Sequence, residues 1–241
     1  MKSALWVAVT ASMLPWSGFA QVPSIVESGA LQAGPHSWRK VLRNQSSSSL
    51  VAYMMDCKPK RSGTLQDALL NGSRSVGPAE TAEAEAASPS TCEAGVRAAI
   101  FSDGHVEGDP EFVEELFAER RGAYQALGDT VKLLDSIYTQ HVPIADVIDK
   151  LEAERKSTLQ KMTHESGGYN FVLIQVSQIL AHPRLTYRLP PDYQVQKQQL
   201  PSIDDVMNTN GVSREEARVI ILNKRLEAWK SLLANNLQPR Q

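Results

Sequence analysis

The sequence predicts an α+β protein, with a small N-terminal β-sandwich followed by a region of long antiparallel helices. Two observations carry this. Up to Gly108 the apolar runs are short and separated by Gly, Ser, Pro and Asn, the pattern of short strands. From Asp109 onward apolar residues recur at helical spacing. A third observation predicts the address. In MKSALWVAVTASMLPWSGFAQ, Lys2 precedes an apolar stretch, Ala4–Leu14, that is too short to span a bilayer. Pro15 and Gly18 break it, and Gly18-Phe19-Ala20 offers small residues for cleavage after Ala20. The predicted division is a signal peptide over residues 1–20, a β-sandwich-like domain over 21–108 and a helical domain over 109–241. The expected location is secreted or periplasmic, with no transmembrane segment after signal removal.

In chain order, VPSIVESG is expected to add an edge strand. SWRKVLRN and LVAYMMDC read as strands joined by the turn QSSSS. PAETAEAEAASPS is bounded by Pro78 and SPS and is expected to be mostly loop. GVRAAIF is another strand, turned by SDG into the short strand HVEG. This spacing of strands is that of an immunoglobulin-like sandwich. Its core candidates are Trp38, Val41, Leu50, Ala52, Met54, Val96, Ala98, Ile100 and Val106.

The first long helix carries its stripe on Val113, Leu116, Phe117, Arg120, Tyr124, Leu127, Val131, Leu134 and Tyr138, in one phase through Gly122 and Gly128. A second helix starts near Pro143 and is expected to stop at Gly167-Gly168. YNFVLIQVSQILAH is apolar nearly all round and long enough for a buried helix. An extended connector follows, and a last helix runs from Ser213 to about Asn235.

The net charge of −2 gives no electrostatic reason to expect nucleic acid or an anionic membrane as partner. The two cysteines, Cys57 and Cys92, fit neither a redox pair nor a zinc knuckle by spacing. In an oxidising compartment they are expected to form a disulfide closing a Gly-, Ser- and Ala-rich loop.

AAIFSDGHVEGDPEFVEEL is the nearest approach to a chemical signature. Asp103, His105, Glu107, Gly108 and Glu114 fall where a calcium loop has positions one, three, five, six and twelve. A β-like segment precedes the loop where a helix is needed, and Pro110 takes an apolar position. A turn running into a capped helix explains the same residues: Asp103-Gly104 as the turn, Asp109 as N-cap and Pro110 at N1. Asp103, His105, Glu107 and Asp109 remain candidates for an acidic binding loop, with no metal or other cofactor expected.

SIDDVMNTNGVSREEARVI resembles the helix-turn-helix of the lac-repressor type, with Asp205-Val206 and Gly211-Val212-Ser213 in place. It departs from that family at Met207, Asn210 and Glu216-Ala217. Ser213 with Glu216 also makes a capping box, which accounts for the pattern without DNA. HESGG offers His164 and Glu165, but Gly168 stands where a zinc-protease helix needs its second His.

Through VLRNQSSSSLVAYMM and AAIFSDGHVEGD the chain resembles a class of secreted bacterial proteins of unknown function, over roughly Trp38 to Leu134. The resemblance implies a fold plan and export, and no activity. The expected function is that of an exported, non-enzymatic binding or structural protein. Two others stay open: a hydrolase with a dispersed site near His105 and His164, and a carrier of a small apolar ligand beneath Phe171 to Leu180. Val219, Leu222, Leu226, Trp229 and Leu233 repeat at three and four along the last helix. That seam is expected either to complete the bundle of its own chain or to meet a partner protein or a second copy.

Overall fold

The computed structural model describes residues 24–34, 37–55, 64–86, 95–161, 163–182, 189 and 201–239. It is a mixed α+β structure with two small sheets. One sheet joins β1 (Ile25–Gly34), β2 (Ser37–Asn44) and β5 (Thr81–Ala86) in the order β1-β2-β5, all antiparallel. The other joins β4 (Thr64–Asp67), β3 (Leu50–Met55), β6 (Val96–Phe101) and β7 (Val106–Gly108) in the order β4-β3-β6-β7. A single helical turn, α1 (Ala68–Asn71), follows β4.

The central strands of the second sheet, LVAYMM and VRAAIF, are apolar without alternation because both of their faces are covered. Tyr53, Met55, Ala99 and Phe101 pack with Ile25, Leu42 and Ala84 of the first sheet. Ala52, Met54, Ala98 and Ile100 pack instead against Leu116 and Phe117. Register shifts between Met54 and Met55, whose partners are Ala98 and Val96. Arg97 is the extra residue of this bulge, which returns Val96 to the inter-sheet core. Val41 and Val106, expected in the core, are only half-buried. The side chain of Trp38 lies outside the described residues.

PAETAEAEAASPS was expected to be mostly loop, but its first half is β5. Thr-Ala-Glu-Ala-Glu-Ala alternates with period two, burying Ala84 and turning Glu83 outward to Arg39 at 2.8 Å. β4 and α1 are also absent from the sequence expectation.

The long helix is one element, α2 (Pro110–Thr139), followed by α3 (Ile144–Leu159) and α4 (His164–Ala181). Gly167-Gly168 does not end α3. The pair lies in the first turns of α4, which Thr163 caps through a reciprocal bond with Ser166. These glycines serve a helix crossing instead. A Cβ on Gly168 would stand 1.9 Å from the Glu119 carbonyl oxygen, and one on Gly122 would stand 1.9 Å from that of Glu165. Only glycine on both sides lets the α2 and α4 backbones touch.

Two further helices, α5 (Ile203–Asn210) and α6 (Arg214–Ala234), begin on Ser202 and Ser213, each with a complete capping box. α6 lays its seam into the same core as α2 and α4. No helix among the described residues is long and apolar enough to cross a membrane. Cys57, Cys92 and residues 1–20 lie outside the described residues, and with them the expected disulfide and signal peptide.

Candidate functional site

In the acidic loop the turn-and-cap geometry is present. Asp103 accepts from Ser48 Oγ at 2.6 Å and from the His105 amide at 3.0 Å, which holds its carboxyl below the usual range. Glu107 accepts from the amide and hydroxyl of Ser24 at 3.0 and 2.5 Å. Asp109 caps α2 through the Glu111 amide at 3.0 Å and takes a 2.9 Å bond from the bulged Arg97. The Arg97 guanidinium also lies 4.8 Å from the centre of the Phe112 ring. Glu114 pairs with Arg121 at 2.5 Å. The carboxylates a calcium loop would use are thus spent on the protein's own donors. No cluster of three or more His, Cys, Asp or Glu that could hold a metal occurs among the described residues.

His105 stacks on Phe101 at 5.1 Å and sits 3.3 Å from Glu107. His164 has other neighbours, Glu115 at 3.3 Å and Glu119 at 3.9 Å. Among the described residues the two histidines share no carboxylate. Glu119 is nevertheless perturbed: burial, then the carboxylates of Asp67 and Glu115, push it up to about 7.

Asp67 is fully buried and binds Arg120 in a fork, through Nε at 2.6 Å and Nη2 at 3.2 Å. It also caps α1 through the Leu69 amide at 2.8 Å. Arg120 Nη1 reaches the Asn236 carbonyl at 3.2 Å, and the Trp229 indole N–H donates to the Leu69 carbonyl at 2.7 Å. One turn of helix thereby ties the second sheet to both α2 and the end of α6. Val219, Leu222, Leu226, Trp229 and Leu233 are all buried in this arrangement. The seam offered as a possible interface is occupied by its own chain.

α2 carries a regular three-four repeat of buried positions: Leu116, Arg120, Ala123, Leu127, Thr130, Leu134 and Ile137. Two of these are polar. Arg120 is answered by Asp67. Thr130 is not: the residue is 1 % exposed and its hydroxyl finds no hydrogen-bond partner among the described residues. A buried, unsatisfied hydroxyl costs about 1–3 kcal/mol.

Thr130 lines a pocket of about 350 Å3 between α2, α3 and α4. Leu133, Leu151 and Leu173 supply its apolar wall. Asp129, Lys150, Glu154 and Tyr169 supply its polar one. The Tyr169 hydroxyl donates to Asp129 Oδ2 at 3.2 Å, and burial together with Asp129 and Glu154 raises its pKa above the ordinary tyrosine value. Leu173 falls within the Phe171–Leu180 segment under which an apolar cavity was expected, but the pocket is only partly apolar. None of its polar residues was singled out from sequence. A threonine at a core position of an apolar helix was the available signal, and the stripe drawn through Tyr124, Val131 and Tyr138 missed it by one residue. Set against family models, curated proteins and solved structures, the chain matches none.

Proposed function

We propose that this chain is an exported, non-enzymatic binding protein whose ligand is a small molecule held between α2, α3 and α4. The observation that carries this is the pocket of about 350 Å3 between three helices, with leucines on one side and charged groups on the other. Ligand pockets combine an apolar lining with a few convergent polar groups, and start at volumes of about 300 Å3. Export rests on the signal-like segment before Gln21. An immunoglobulin-like plan for the sandwich is supported by strand order. β1, β2 and β5 correspond to strands A, B and E, and β3, β6 and β7 to C, F and G, with β4 added beside C.

The test is a fragment screen on the full chain, read by NMR on the methyl groups of Leu133, Leu151 and Leu173. Binders are expected to shift these methyls and to lose affinity in Leu133→Ala, which removes part of the apolar wall at a half-buried position. A screen with no such binder, or binders whose affinity Leu133→Ala leaves unaltered, would overturn the proposal.

A further inference from the structure

We propose that Asn71 is a site of spontaneous modification, losing its side-chain amide to give aspartyl and isoaspartyl forms, while the fold protects the same dipeptide at Asn210. Asparagine followed by glycine occurs at two places in the sequence, Asn71-Gly72 and Asn210-Gly211. In both, an exposed asparagine ends a helix, α1 or α5, and the glycine takes a left-handed φ, 67° and 65°. Glycine puts no Cβ in the way of ring closure. The two sites differ in where the asparagine side chain turns.

Asn71 turns forward. Its Oδ1 accepts from the Ser73 amide at 2.9 Å, and its Nδ2 donates to Gln66 Oε1 at 3.1 Å. The ring closed by the Ser73 bond encloses the Asn71–Gly72 peptide. The side-chain carbonyl is thereby held beside the glycine nitrogen that attacks it. The Ser73 N–H also sits on the oxygen where negative charge develops during that attack. Asn210 turns backward. Its Nδ2 donates to the Val206 carbonyl at 2.9 Å, and the Gly211 amide donates to the Met207 carbonyl at 2.9 Å. Both groups that cyclisation needs are held on the helix there.

The chemistry needs hydroxide and water alone. Gly72 is buried, so the Asn71–Gly72 peptide must first fray from its helix, which is a single turn. Hydroxide takes the Gly72 N–H proton, and the nitrogen attacks Asn71 Cγ. The Cγ–Nδ2 bond breaks, and the departing nitrogen takes a proton from water and leaves as ammonia. A second water opens the succinimide at either carbonyl. One opening gives aspartate. The other gives isoaspartate and adds a methylene to the main chain directly after α1, the turn whose Asp67 and Leu69 bind Arg120 and Trp229. Either product adds a negative charge.

The experiment ages the full chain at mildly alkaline pH beside a sample unfolded in guanidinium chloride, and follows both by peptide mapping with mass spectrometry. The unfolded chain sets the intrinsic rate of each dipeptide. In the folded chain Asn71 is expected to convert within about tenfold of its unfolded rate, since fraying one terminal peptide costs about one hydrogen bond. Asn210, with two bonds to release, is expected to be about tenfold slower than Asn71. Aspartyl and isoaspartyl forms should both appear at position 71. The acidic isoform seen on ion exchange should vanish in Asn71→Gln and persist in Asn210→Gln. Asn71 slower than the tenfold bound, or Asn210 converting as fast as Asn71 in the folded chain, overturns the proposal. So does aspartate alone at position 71, or an acidic isoform that Asn71→Gln still forms at the parent's rate.

Discussion

The loop from Asp103 to Asp109 and the cluster of Glu115, Glu119 and Asp67 are both rich in acids, and α2 links them. In the loop each carboxylate meets donors: a serine hydroxyl, backbone amides, an arginine. Asp103 is accordingly held low. In the cluster Asp67 takes the Arg120 guanidinium for itself, and Glu119 is left partly buried beside two other carboxylates. The difference teaches that the density of acids says little about their chemistry. What decides it is which carboxylate secures the donors, and a short element distant in sequence settled that here.

The largest expected effect breaks the cluster. Asp67→Ala should cost about 3–5 kcal/mol in urea unfolding, because it strands a buried guanidinium and uncaps α1. A loss below about 1 kcal/mol would mean that Arg120 finds water or another acceptor.

The next prediction uses proton linkage. Glu119 ionises near its ordinary value of 4.5 when unfolded and at about 7 when folded. Its contribution to stability is therefore fully present below the unfolded value and is lost as pH rises from about 4.5 to about 7, by at most about 3 kcal/mol. A protonated His164 would reduce that loss. Glu119→Gln should be flatter than the parent over this range and more stable above it. Parallel stability–pH curves for the two proteins would erase the contrast between cluster and loop.

The smallest effect tests the loop. Asp109→Ala removes the α2 cap and the Arg97 pair and should cost about 1 kcal/mol, with no dependence on calcium. A melting temperature that rises saturably with micromolar calcium, and stops doing so in Glu114→Gln, would reverse the assignment of this loop.

Elements with a strong period were legible: α2 as one helix, α6 with its capping box, and the strands LVAYMM and VRAAIF. What escaped depended on partners far along the chain. Gly167-Gly168 looks like a helix stop until the Glu119 carbonyl is placed against it. TAEAEA has helix-forming composition, and pairing with β2 overrides it. At the candidate site Arg120 was visible on the stripe, but Asp67 lies fifty-three residues away. Thr130 was hidden by small residues: with Ala123 and Ala126 on the buried face, the aromatic and branched side chains nearby pulled the apparent stripe off its axis.

The close crossing of α2 and α4 at Gly122 and Gly168 has a mechanical consequence. Two backbones in direct touch leave no side-chain cushion to compress, so the crossing is a fulcrum. Thr130 lies eight residues beyond it on α2, about 12 Å along the axis. A splay of five degrees about that fulcrum would move the Thr130 wall of the pocket by about 1 Å. Pocket width is therefore geared to the angle between two helices, with the gear ratio set by where the glycines stand.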